Sequence, residues 1–347
     1  MSKYVGTKKI GEHLVFDDDS AFGNSHIAGL QLKGIAEIDN QDRFVKLDDL
    51  ALKGRSWKPQ FDYQYSSVSD AIVSCLARNI KNSDLNSVDY KFAAFERPSG
   101  LATGTVSDIY LKEHEVERIL SSGNKTDNHV AVKIDDYANQ VVDSKFEIRL
   151  RNLTEMFVKN GVPEQTAHDF LIQQAGFDVL TGNNDRLNNP SNFVIAFDQT
   201  TRTGRPINMD YGRCLQISTW ARTMNDNLQI GDEYYQEDLQ GFADDFCNND
   251  SIVKSYSVED SLQQLKEQGF QPLLIDKQGL DNDLYDLVEK IKAAHVPCEK
   301  FAIVKIDAFK ASLESDQMQG FWETTTPELS FDGLTDESLV NYSDITG

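Results

Sequence analysis

Gly182-Asn183-Asn184-Asp185-Arg186-Leu187-Asn188-Asn189-Pro190-Ser191-Asn192-Phe193-Val194-Ile195 is the stretch on which the fold of this chain turns. It gathers one carboxylate, Asp185, and several side-chain amides into a polar loop. A helix pattern leads into it. Pro163 suits a helix start, Glu164 sits in the first turn, and Ala167, Phe170, Leu171 and Ala175 carry the helix toward Leu180. Thr181 to Asn184 breaks that helix. A strand from Asn192 to Phe197 leaves the loop. A second strand, Pro206 to Met209, runs into Asn208-Met209-Asp210-Tyr211-Gly212, where an acidic residue precedes a glycine turn.

Upstream, short strands dominate. Gly34 to Ile38 and Arg43 to Leu47 flank the turn-prone Asp39 to Asp42, which predicts a hairpin. Trp57 to Ser66 has no period and reads as a loop. Val68, Ile72, Leu76 and Ile80 recur every fourth residue, one apolar stripe of a helix. Tyr90 to Phe95 and Thr103 to Leu111 read as strands, and Phe146, Leu150, Leu153 and Phe157 as a helix. Downstream, helices are expected near 258–269, 280–294 and 299–316, then an acidic tail over 323–347 with no Lys or Arg after Lys310. Strands first and helices after predict an α+β chain with a ligand cleft between the two parts.

Composition narrows the function. Hydrophobic residues make up 39% of the 347, enough for a sizeable core. The formal charge of −22 sets the surface against nucleic acid and anionic membrane. Cys75, Cys214, Cys247 and Cys298 are scattered, with neither disulfide nor zinc spacing. No apolar run approaches the ~20 residues of a membrane span. Met1 to Lys9 lacks a signal-peptide core, so a cytoplasmic protein is expected.

Loops rich in Asp and Asn are, singly, turns. Two of them, each beside an apolar strand, favour chemistry. Phosphoryl transfer needs one carboxylate to orient and deprotonate the attacking hydroxyl. A second carboxylate and an amide oxygen then hold Mg²⁺ against the phosphates. It also needs a lysine on an early strand. Lys46, Lys133 and Lys305 each sit in an apolar run, where a lysine generally snorkels at the surface. Lys305 follows the acidic loops, the wrong order, and Lys133 has no hairpin before it. Lys46 has a hairpin before it and a helix carrying Asp70 after it, so it is the choice, with Asp70 as its ion-pair partner. His168 and the tryptophans Trp57, Trp220 and Trp322 read as boundary or packing residues, and Cys214 shows no feature of a nucleophile.

Phe44-Val45-Lys46-Leu47-Asp48-Asp49, Ser66 to Ser74, Leu180 to Arg186 and Met209-Asp210-Tyr211-Gly212 occur in that order. Together they resemble the HipA-like kinases, in particular the CtkA-like branch, over residues 20 to 215. The resemblance implies a protein-kinase-like bilobed α+β fold. A nucleotide-binding lobe would span 1–115 and a helical catalytic lobe 116–322, followed by the tail 323–347. It implies ATP- and Mg²⁺-dependent phosphorylation of Ser or Thr, by a toxin-type or autophosphorylating kinase with a protein substrate and an antitoxin partner chain. Lys46 would contact the α/β phosphates, positioned by Asp70, and Gly29 would end the phosphate loop that begins at Gly23. Ser107, Asp108 and Ile109 would flank the adenine. Asp185 would be the base, and Asn192 and Asp210 the metal ligands, with Asn188 or Asn189 as alternatives to Asn192. Leu187 stands where the family has His, and Pro190 where the kinase loop has Asn. Both departures favour the competing reading, a catalytically weak pseudokinase that binds a partner. Phosphoryl transfer to a small molecule or lipid is a third, against which the acidic charge counts.

Overall fold

The computed structural model describes residues 5–10, 12–16, 31–50, 65–83, 85–108, 145–183, 186, 193–198, 202–215, 239–244, 253, 257–296 and 298–325. The strands β1 (Val5–Ile10), β2 (His13–Phe16), β3 (Gln31–Ile38) and β4 (Gln41–Leu50) come first. Helix α1 (Ser66–Arg78) and strands β5 (Lys91–Arg97) and β6 (Gly100–Asp108) follow. Next are helices α2 (Phe146–Lys159) and α3 (Glu164–Leu180) and the hairpin β7 (Phe193–Asp198) with β8 (Thr203–Asn208). The C-terminal part comprises α4 (Val258–Glu267), β9 (Leu273–Ile275), α5 (Lys277–Ala293), α6 (Glu299–Glu314) and β10 (Trp322–Thr324). The fold is mixed α/β, with a curled sheet ahead of the helices.

That sheet is a closed barrel in the order β1-β2-β5-β6-β4-β3. β3 and β4 join through a two-residue turn, tighter than the four-residue turn expected from sequence. Asp39 and Asn40 both have left-handed φ, 53° and 60°. A two-residue turn needs this between right-twisted strands, and Asp and Asn tolerate it best after glycine. Closure comes from two parallel pairings, β1 with β3 and β2 with β5. Neither β1, β2 nor the closure was expected from sequence, because both strands are short, β1 is polar, and the closing partners, β3 for β1 and β5 for β2, are not their neighbours in the chain.

Leu14, Phe16, Ala36, Ile38, Val45, Leu47, Ala93, Phe95 and Ala102 fill the barrel interior. Burial of each larger side chain contributes about 1.5–3 kcal/mol. Strand alternation then decides what Lys46 does. Val45 and Leu47 point inward, so Lys46 between them leaves the barrel on its outer face. Gly104 on β6 lies against this stretch. A Cβ there would sit 2.4 Å from the Lys46 carbonyl oxygen and 2.8 Å from the Phe95 ring.

Helix α1 packs over β4, β5 and β6. Its buried Val68, Ile72 and Leu76 join Phe92 and Ala94 of β5, then α2, α3 and the C-terminal helices, in a second core. Ile80, expected on the helix stripe, lies beyond it and bridges to Ile275. Arg78 and Asn79 bond Asp283 of α5, at 3.1 and 2.9 Å, and His13 Nε2 lies 2.9 Å from the Ala294 carbonyl oxygen. Glu323 and Thr324 belong to β10, which pairs with β9.

Lys305, expected at the surface, is buried. α6 has one wetter stripe through Lys300, Ile303, Asp307, Lys310 and Glu314, and Lys305 stands on the opposite face among the buried Phe301, Ala302, Ala308 and Phe309, so its stem has no wet face to follow. Its Nζ donates to Ser69 Oγ at 2.7 Å and lies 4.7 Å from the Phe301 ring centre.

Candidate active site

Lys46 is the hub. Its Nζ donates to Asp70 Oδ2 at 2.9 Å and to Asp210 Oδ1 at 2.8 Å, and lies 5.7 Å from the Tyr90 ring centre. The three residues come from β4, from α1 and from the loop after β8. Asp70 and Lys46 are 1% and 3% exposed at the side chain, Asp210 27%. Asp210 therefore faces the open side of the cluster. The second oxygen of Asp70 accepts from the Tyr211 amide at 2.9 Å, so one carboxylate ties the helix to both the strand and the loop.

Charge follows from this packing. Burial alone would lower the Lys46 pKa, but the Asp210 and Asp70 carboxylates outweigh it and hold the ammonium charged. Burial pushes Asp70 up to about 6, against the pull of Lys46 and with the push of Asp210. Burial would raise Asp210 too, yet Lys46 and Lys33 hold it below the ordinary carboxylate range. Asp210 also has a left-handed φ of 62°, an uncommon backbone state for a non-glycine residue. Gly212 follows, where a Cβ would come 3.1 Å from Lys46 Nζ.

Helix α1 has no side-chain cap of its own, since Tyr65 at its start offers none. Asp48, two residues after Lys46, takes that part. Its carboxylate accepts from the Ser67 amide at 2.8 Å, from Ser67 Oγ at 2.6 Å and Ser66 Oγ at 3.0 Å, and from Thr103 Oγ1. The strand carrying the lysine thus holds the start of the helix carrying its partner.

Asp185 and Asn192 lie outside the described residues, as do Gly29, Ile109, Asn188, Asn189, Leu187, Pro190 and Lys133. The residue beside Asp185 is described. Arg186 is fully buried, and its Nε donates to Asp178 Oδ2 on α3 at 2.8 Å. Its guanidinium also donates to Asn208 Oδ1 at 3.1 Å and to the Met209 carbonyl at 3.3 Å. Arg186, next to Asp185 in the chain, is thereby tied both to α3 and to the segment that ends in Asp210. Ser107 is buried on β6 opposite Phe44, its hydroxyl without a partner among the described residues, and exposed Asp108 pairs with Arg43. Both line a cavity of about 220 Å³ at the barrel rim, with Phe92 and Val106 in its wall.

Sequence reasoning missed Lys33, Asp48, Asp178 and Tyr90 here. Lys33 carried a usable signal, since it lies across the β3–β4 hairpin from Lys46. Asp178 and Tyr90 carried none, because their roles depend on tertiary packing.

No family model matches this chain, and no curated protein matches it. Among solved structures, a Helicobacter pylori proinflammatory kinase, CtkA, is similar over 85% of this chain and 91% of its own, at 10% identity and a TM-score of 0.39. A likeness that slight decides nothing about activity. What the site can do is set by its own geometry.

Proposed function

We propose that this chain is an ATP- and Mg²⁺-dependent kinase of the HipA-like type that phosphorylates Ser or Thr of a protein substrate. The supporting observation is a single buried lysine shared by a helix carboxylate and a loop carboxylate. That arrangement holds an ammonium ready for phosphate oxygens and keeps one carboxylate ionised beside it.

The donor set suits a hard divalent cation. Asp210 is ionised and partly exposed, and among the described residues only its Oδ1 is engaged. Asn192 would supply the amide oxygen. Bound Mg²⁺ would draw the phosphate oxygens together and neutralise their charge. Lys46 would hold the α/β phosphates, and Asp70 keeps its ammonium in place. On this reading the adenine would lie at the rim cavity that Ser107 and Asp108 line, and Asp185, next in the chain to the buried Arg186, would take the proton of the acceptor hydroxyl. The bilobed arrangement, the toxin-type role and an antitoxin partner belong to this same proposal. Leu187 and Pro190 favour the second reading, a pseudokinase that binds a partner.

Incubation with labelled ATP and Mg²⁺ tests it. The native chain should transfer label to itself or an added protein, and Asp210→Ala should not. Asp185→Asn should bind nucleotide yet transfer about 10²-fold more slowly, the scale of a lost general base. Equal transfer by native and Asp185→Asn would make Asp185 a turn residue and favour the pseudokinase.

A further inference from the structure

Lys46 is not the only lysine on its face of the barrel. Lys33 on β3 stands directly opposite it in the antiparallel register, so both side chains leave the wall on the same side. Lys33 is 9% exposed. Like charges directly opposite across a strand pair repel. Nearby stand two carboxylates, and Lys46 engages both. The remaining oxygen of Asp70 is taken by the Tyr211 amide. No carboxylate among the described residues lies within ion-pair distance of Lys33. Burial lowers its pKa and Lys46 lowers it further, while Asp210 and, more weakly, Asp70 pull the other way.

A buried ammonium without an ion-pair partner is costly. The cost is offset when an anion arrives. Lys33 stands opposite Lys46 on the same face, and Lys46 Nζ reaches Asp210 Oδ1 at 2.8 Å, so Lys33 borders the cluster at which a metal and the phosphates would meet. We propose that Lys33 is a second phosphate-binding lysine, which with Lys46 forms a two-lysine clamp that selects a triphosphate over a diphosphate. This rests on the nucleotide reading above, but the clamp itself recognises only polyphosphate.

Titration of ATP, ADP and inorganic tripolyphosphate, each with Mg²⁺, into native, Lys33→Met and Lys33→Arg proteins tests it. Lys33→Met should weaken ATP and tripolyphosphate by about tenfold or more, the scale of one charge-assisted contact, and ADP by far less. Lys33→Arg should stay near native. The unliganded Lys33→Met protein should melt at or above the native temperature, because a buried charge with no ion-pair partner among the described residues is gone. ATP or tripolyphosphate binding to Lys33→Met at native strength overturns the clamp, and so does a lowered melting temperature. If the native protein binds tripolyphosphate through Lys33 but neither nucleotide, the clamp stands and the nucleotide reading fails. If it binds none of the three, both fail.

Discussion

Lys305 and Lys46 are both buried lysines, and their surroundings send them in opposite directions. Lys46 has two carboxylates within 2.9 Å, whereas Lys305 has one hydroxyl and a ring. Burial therefore takes Lys305 down from 10.5 to about 7, with Cys214, Asp48 and Asp70 opposing only weakly. The folded-state pKa lies below the unfolded one. Between about 7 and 10.5 the unfolded chain binds more protons at this site, so stability rises with pH across that window. Below about 7 both states carry the charge and the full cost remains. Denaturant unfolding of native and Lys305→Met at pH 7.5 and 9.5 should show it. The native protein should gain on the order of 1 kcal/mol per pH unit from this group, and the variant should lack that gain and be the more stable at pH 7.5. Equal pH dependence would mean that Lys305 is solvated.

At the scale of elements, α1 depends on Asp48 more than on its own sequence. Asp48→Ala removes the carboxylate that holds two helix serines, one helix amide and Thr103. It should cost about 2 kcal/mol or more in chemical denaturation, as a lost cap plus lost charge-assisted bonds. With the helix start freed, Asp70 should hold Lys46 less well and phosphoryl transfer should fall. Native stability in Asp48→Ala would show that α1 is held by its apolar stripe alone. The stripe itself was legible, since Val68, Ile72 and Leu76 recur at one helical face. Likewise the hairpin announced itself by the turn-prone Asp39 to Asp42, though not its two-residue tightness, and the pairing of Lys46 with Asp70 was legible from element order. Barrel closure was not legible, because β1 pairs with β3 in parallel across intervening chain and no local period records such a pairing. Burial of Lys305 was hidden for a similar reason: a lysine in an apolar helix looks the same whether its end finds water or a serine.

Across the whole molecule, charge sets the conditions for binding. A chain at −22 repels a polyphosphate at long range, and only local cations reverse this. Among the described residues Lys46, Lys33 and Arg186 are buried cations whose charge acts on Asp210, and Lys46 and Arg186 are already ion-paired. A divalent cation on Asp210 would free Lys46 for phosphate, so metal and nucleotide should bind together. Calorimetric titration of a non-hydrolysable ATP analogue, with and without Mg²⁺, into native and Asp210→Asn proteins tests this most directly. The native protein should bind one equivalent only when Mg²⁺ is present, and Asp210→Asn should bind at least about tenfold more weakly, the scale of one lost charged contact. Binding of equal strength without Mg²⁺, or undiminished by Asp210→Asn, would contradict the assignment of the Lys46, Asp70 and Asp210 cluster as a metal-dependent nucleotide site.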